Sequence, residues 1–192
     1  MTLYDLVNKM ENIKRFHATR TNRQHNLSAH TLRIIALSDM LAPESLSGLD
    51  RYSLMMIALM HDAEEVFIGD ISYPMKKYIP EYEEIAWKAV HDNVDYKYAK
   101  FHQCNAPHLN NIVKVADLID TPLQAIQEVN SGNLYAVKYF DKFLSKYTKQ
   151  EIDFSILSKE GTELLCDTYY TILRLLAKHK IPIDQVAHEG II

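Results

Sequence analysis

An imidazole and a carboxylate stand side by side at His61 and Asp62, at the end of the apolar run 54–60. The pairing suits packing poorly, because both groups cost free energy to bury, and suits a divalent cation well. Two residues of the same chemistry lie elsewhere: His30 upstream in a segment of helical spacing, and Asp117 downstream in the stretch 113–120. Together His30, His61, Asp62 and Asp117 offer two imidazoles and two carboxylates. Such a mixed nitrogen and oxygen set favours Mn, Co, Fe, Ni or Zn over Mg, which prefers oxygen and water. Four protein ligands on a six-coordinate ion leave positions for water and a substrate oxygen, which is what separates a catalytic site from a structural one. Singly, each residue reads as a solvated or capping group; the force lies in the set. A second dipeptide, His91–Asp92, lacks matching partners, sits in a charged segment and reads as surface.

Three separate segments must converge to assemble that set, and helices are the elements the pattern supplies. Leu3, Leu6, Val7, Met10 and Ile13 recur at spacings of three and four, predicting a helix over 2–15. Residues 16–24, rich in Arg, Thr and Asn, read as a loop. Ser28 is the expected N-cap of a helix carrying His30, Ile34, Leu37 and Leu41, and Asp50 that of a third running to about residue 65 or 68. On a continuous helix, His61 and Asp62 lie about 100° apart and can both face inward. Gly69 ends that helix and 70–74 reads as a turn. A long helix is expected over 81–101, another from Pro107, and two more over 134–147 and 160–178. Strand alternation is weak throughout. The expected fold class is all-α: a single-domain helical bundle over 1–181, with an extended tail at 182–192.

Composition narrows the function classes. The chain has 192 residues, 47% apolar and 24% charged, which suits one compact domain with its own core. A formal charge of -4 argues against a nucleic acid polymer as partner, since that requires a basic face. Charges at Asp5, Lys9, Glu11 and Lys14 rule out an ordinary signal peptide, and no run approaches the ~20 apolar residues of a membrane span. A cytoplasmic location follows as the expectation. Cys104 and Cys166 match no metal-ligand spacing and are expected to be reduced core residues.

The order His, His-Asp, Asp is the signature of the HD-domain metallohydrolases, and over residues 15–120 the chain resembles that superfamily. It is most similar to the YfbR-type 5'-deoxynucleotidases and to related phage deoxynucleoside triphosphate hydrolases. Glu65 matches the Glu of their His-Asp-Ala-x-Glu pattern, here 61–65, and Asp70 the acid of their Gly-Asp segment. The resemblance makes Glu65 and Asp70 the catalytic acids that orient water or move protons. Arg15 and Phe16 match an Arg-aromatic pair, in which Arg clamps phosphate and the ring packs on the sugar, leaving little space for a 2'-hydroxyl. Family members usually carry Trp where this chain has Phe16. Lys76 or Lys77 matches a Pro-x-Lys segment, and Lys114 precedes Asp117 by one turn. Two departures are Ala29, where the family has Glu before its first ligand His, and His25, where it has another Glu.

The implied activity is hydrolysis of 2'-deoxynucleoside 5'-phosphates with one divalent metal ion, first as a 5'-deoxynucleotidase acting on monophosphates. The alternative is a triphosphohydrolase of the dATPase kind, and the third reading is a ligand-binding regulator with a degenerate site. The resemblance also implies a small deoxynucleotide as partner, no membrane, a homo-oligomer, and the cytoplasm of a host if the chain is phage-borne. Residues 121–192 carry no motif, and Tyr135, Tyr139, Tyr169 and Tyr170 read as core or interface aromatics.

Overall fold

The computed structural model describes residues 1–16, 21–71, 73–183 and 186. Among them no strand forms; an isolated antiparallel bridge joins Lys14 to Asn26. Helix α1 (Leu3–Met10) starts at Thr2, whose side chain and that of Asp5 form a reciprocal capping box. Then follow α2 (Leu27–Leu41), α3 (Gly48–Met60), α4 (Glu65–Ile68), α5 (Tyr73–Lys76), α6 (Tyr82–His91) and α7 (Tyr96–Ala99). Helix α8 (Pro107–Asn130) leads through a 3-10 segment, Leu134–Phe140, to α9 (Asp141–Thr148), and α10 (Lys159–Lys178) follows a short 3-10 turn at Phe154–Ile156.

Helix α8 is the axis of the molecule. It packs against α2, α3, α10 and the Leu134–Phe140 segment. Ile34, Leu37, Leu54, Ile57, Ile112, Ala116, Ile119, Phe143 and Ile172 share its core. A smaller apolar cluster joins Leu6, Met10, Leu27, Met60, Val90 and Ala99, tying α1 to the end of α3 and to α6–α7. Between the two clusters lies the end of α3, which is where the chemistry-bearing residues emerge. None of the described helices is long and apolar enough to cross a membrane.

The all-α class holds, and several boundaries move. Asn26, not Ser28, caps α2: its side chain accepts from the Ala29 N–H at 2.9 Å, while Ser28 donates to it at 3.1 Å. Buried Leu27 is thereby the first helical residue. Ser47, not Asp50, caps α3, and the Asp50 N–H donates to its hydroxyl at 3.1 Å. The long helix expected over 81–101 breaks at 92–95, where Asp95 caps a new start. The helix expected over 134–147 is 3-10 in its first half. Part of the turn expected at 70–74 is helical, since α5 begins at Tyr73. Both cysteines are free and half-buried rather than core residues. Residues 17–20 of the expected loop, Ser72, and 184–185 and 187–192 of the expected tail lie outside the described residues; within that tail, Val186 is buried against the main core.

Candidate functional site

Helix α2 turns His30 inward, 1% exposed, with Arg33 one turn further on. The His30 Nδ1 is 2.8 Å from Asp120 Oδ2 on α8, and Arg33 forks onto the same carboxylate through Nε at 2.6 Å and Nη2 at 3.1 Å. Burial alone would raise the Asp120 pKa; the bonds from His30 and Arg33 outweigh it and hold the carboxyl at about 2. An ionised carboxylate only accepts, so His30 Nδ1 carries a hydrogen and Nε2 is the nitrogen turned to the pocket. His61 is fixed in the same sense. Its Nδ1 donates to the Ala58 carbonyl at 2.7 Å, which leaves Nε2 as the nitrogen facing the pocket.

Those two nitrogens face each other at 3.1 Å. Asp62 Oδ2 lies 3.5 Å from His30 Nε2 and 3.2 Å from His61 Nε2, and Asp117 Oδ1 lies 3.5 Å from His30 Nε2. His30, His61 and Asp117 each offer one ligand atom within 4.8 Å of the others. Two imidazole nitrogens beside two carboxylates form a pocket that a positive charge between them stabilises, either a proton or a metal cation. Burial works against the His61 imidazolium, yet Asp62 and Asp117 outweigh it and lift the pKa to about 9, so a proton is favoured there. A divalent ion would displace that proton. The donor set, two imidazoles with carboxylates, fits a borderline transition metal.

Because Asp120 fixes the ring of a candidate ligand, Asp120→Asn is expected to weaken metal affinity about 10- to 100-fold. Titration of Co²⁺ into metal-stripped protein checks this, and unchanged affinity would remove Asp120 from the site.

Acids and cations border the same pocket. Arg15 Nη1 contacts Asp62 Oδ2 at 2.9 Å and approaches Glu65 Oε2 at 3.7 Å. Glu65 is 3% exposed, and its Oε2 has no hydrogen-bond partner among the described residues. Burial first, then the Asp62 charge, push its carboxyl up to about 9 against the pull of Arg15. Lys76 Nζ sits 3.8 Å from Glu64 Oε1, 4.0 Å from Glu65 Oε1, and 4.9 Å from the centroid of the Tyr82 ring. Glu64 is buried with His102, whose Nε2 is 3.2 Å away, and accepts from the Tyr82 hydroxyl at 3.4 Å. Asp70, after Gly69 at φ 83°, is half-buried and near enough to act electrostatically on Arg15 and Glu65. Lys77 and Lys114 are exposed.

Glu65 reaches the pocket by a route other than the expected one. Helix α3 stops at Met60, and residues 61–64 are turns, with Ala63 N–H bonding the Met60 carbonyl and Glu65 N–H the Asp62 carbonyl. The His61 imidazole already occupies the Ala58 carbonyl that a further helical turn would use. His61, Asp62 and Glu65 therefore share a tight turn rather than a helix face.

Asp120, Arg33, Glu64 and His102 escaped the sequence reading. The signal for the first two was present: Asp120 follows Asp117, and Arg33 follows His30, at one helical turn. Glu64 and His102 carried none, since their pairing joins two turns far apart in the chain. Residues beyond 120, which offered no motif, also reach the site: Tyr139 packs edge-on against Phe16 at 4.7 Å.

Comparison with known proteins agrees with this architecture. Residues 2–156 match the family model described as 5'-deoxynucleotidase YfbR-like. A 5'-deoxynucleotidase of Erwinia tasmaniensis is 27% identical over 168 residues, spanning 77% of this chain and 85% of the relative. One of Vibrio parahaemolyticus is 28% identical over 166 residues, 76% and 86% of the two chains. Among solved structures, an HD-domain phosphohydrolase from Listeria innocua superposes with a TM-score of 0.68 at 16% identity, covering 98% of each chain. A cyanophage S-2L HD phosphohydrolase, DatZ, bound to dA and one catalytic Zn²⁺, superposes at 0.56 with 18% identity, covering 88% of this chain and 96% of that one.

Proposed function

Since the chain belongs to the YfbR-like family of 5'-deoxynucleotidases, we propose that it hydrolyses 2'-deoxynucleoside 5'-monophosphates to the deoxynucleoside and orthophosphate with one divalent metal ion. The observation that carries the reading is the facing pair of imidazole nitrogens at 3.1 Å, each ring anchored through its Nδ1 and flanked by carboxylates. In this reading His30, His61, Asp62 and Asp117 hold the ion, with Mn, Co, Zn, Fe or Ni favoured over Mg by the donor set. When bound, such an ion polarises a phosphoryl oxygen and acidifies water.

The chain's own groups do the rest. Arg15, pinned beside Asp62, presents its fork to phosphate oxygens, and Lys76 adds a second charge from the opposite side of Glu65. Glu65 carries a proton at neutral pH and can deliver it to the leaving 5'-oxygen, with Asp70 close by to share proton movement. Phe16 packs against the sugar. Lys77 and Lys114, both exposed, serve incoming phosphate. Arg15 and Lys76 are the cations beside Asp62 and Glu65, a pair suited to the phosphoryl group being transferred. The reading includes self-association, for which exposed Tyr135 and Tyr170 offer aromatic surface.

Product analysis tests the proposal. Metal-stripped protein is incubated with each dNMP, NMP and dNTP plus Mn²⁺, Co²⁺, Zn²⁺ or Mg²⁺. Deoxynucleoside and orthophosphate released from dNMP are the expected products. Intact triphosphate from a dNTP would replace the reading, and no turnover under any metal would favour the regulator.

A further inference from the structure

Glu128 lies about three turns beyond Asp117 on α8, is 2% exposed, and plays no part in the chemistry described above. Its carboxylate is fully engaged. Oε2 accepts from the Asn22 N–H at 2.7 Å and from Asn133 Nδ2 at 2.9 Å. Oε1 accepts from the Arg23 N–H at 3.1 Å and lies 3.2 Å from His25 Nε2. Neighbouring contacts reinforce the attachment: Asn22 Nδ2 donates to Ser131, and Arg23 Nη1 donates to Gln127 Oε1 at 2.6 Å. Despite burial, the donors hold the Glu128 carboxyl below its ordinary pKa.

What this anchors is the far side of the substrate-facing segment. The His25 carbonyl accepts from the Arg15 N–H at 2.9 Å. Its ring meets Phe16 edge-on at 4.9 Å, and Tyr139 takes the other side. Phe16 has φ 56°, a left-handed backbone that costs about 1–2 kcal/mol for a residue with a side chain, so its ring depends on these neighbours to stay where it is. Arg15, Phe16, Asn22, Arg23 and His25 border a cavity of about 400 Å³.

We propose that Glu128, acting through His25 and the backbone of Asn22 and Arg23, is a positioning residue that sets Arg15 and Phe16 for phosphate and sugar recognition. The proposal rests on the nucleotidase reading for its kinetic consequence and on the hydrogen bonds alone for its structural one. A carboxylate is required there because two backbone donors, an amide and an imidazole converge on it; an amide in its place would turn an NH₂ toward one of them.

Glu128→Gln and Glu128→Ala are compared with the wild-type full chain, each loaded with Co²⁺. Hydrogen exchange at Asn22 and Arg23 should accelerate about tenfold or more. Co²⁺ affinity should stay within about twofold, since no metal candidate contacts Glu128. kcat/KM for dAMP should fall about tenfold through KM rather than kcat, and the preference for dAMP over AMP should shrink. Unchanged exchange at Asn22 and Arg23 would overturn the clamp, whatever the substrate. Faster exchange with KM and the dAMP-to-AMP ratio unmoved, or a parallel loss of kcat and Co²⁺ affinity, would overturn the positioning role. Should the wild type turn over no deoxynucleotide, the functional reading fails by itself and exchange still decides the clamp. If the Ala variant does not fold, the isosteric Gln variant carries the comparison.

Discussion

Asp117→Ala is expected to abolish turnover, by about 10³-fold or more, while leaving the fold in place. The size follows from what the residue is proposed to hold: Lewis-acid stabilisation by a bound ion is worth several kcal/mol, and each 1.4 kcal/mol is about tenfold in rate. The fold should survive because Asp117 is the most accessible member of its set, with its side chain 36% exposed, whereas its neighbours Ala116, Leu118 and Ile119 carry the packing of α8. Removing it also withdraws one of the two charges that lift His61 toward a pKa of about 9. The remaining pocket should bind Co²⁺ more weakly and release fewer protons on doing so. Isothermal titration in two buffers of different ionisation enthalpy, beside an activity assay and circular dichroism, measures all three. Activity persisting in a folded variant that no longer binds metal would end the metallohydrolase reading.

The sequence made the four proposed ligands legible because they follow an ordered pattern: an apolar run ending in His-Asp, with a His in one helical segment before it and an Asp in another after it. The all-α class was legible for the same reason, since period and spacing are properties of adjacent residues. Less visible was everything that depends on two segments meeting. Glu128 reads as one more acid near a helix end until 21–25 is seen folded over it. Asp120 reads as the polar face of α8 until His30 arrives from α2. The caps went astray by two or three residues because Asn26 and Ser28, or Ser47 and Asp50, are equally good cap chemistry. Burial decides between them, and in α2 it is Leu27, packed in the smaller cluster, that draws the start forward.

A similar competition explains the end of α3. Helical spacing carries on plausibly through Glu65, and a continuous helix would indeed place His61 and Glu65 on one face. The structure instead ends the helix at Met60, with the His61 ring on a carbonyl that the next backbone N–H would otherwise take. Anchoring the imidazole through Nδ1, with Nε2 turned to the pocket, thus coincides with loss of the helix. Ligand geometry and the end of the helix meet at one carbonyl, that of Ala58, a contact between side chain and backbone that residue spacing does not encode.

Glu65→Gln should separate catalysis from stability. The side chain keeps its volume and loses its ionisation, so the turnover that depends on its proton should drop by about 10²- to 10⁴-fold. Stability should move the other way. In the folded chain burial and Asp62 push the Glu65 carboxyl up to about 9, from an ordinary value of 4.5. A folded-state pKa above the unfolded one means the native protein holds a proton that the unfolded chain releases. The associated stability is fully present below about pH 4.5 and is lost as pH rises toward 9. Gln at this position has no proton to lose, so the metal-free variant should overtake the wild type as pH climbs through that window. His61 titrates in both proteins and cancels to first order in the comparison. Urea unfolding of the two metal-free chains at pH 5, 7 and 9 measures the difference. Curves that stay parallel across that range would show that Glu65 is ionised in the native state, and would move the proton-carrying role to Asp70.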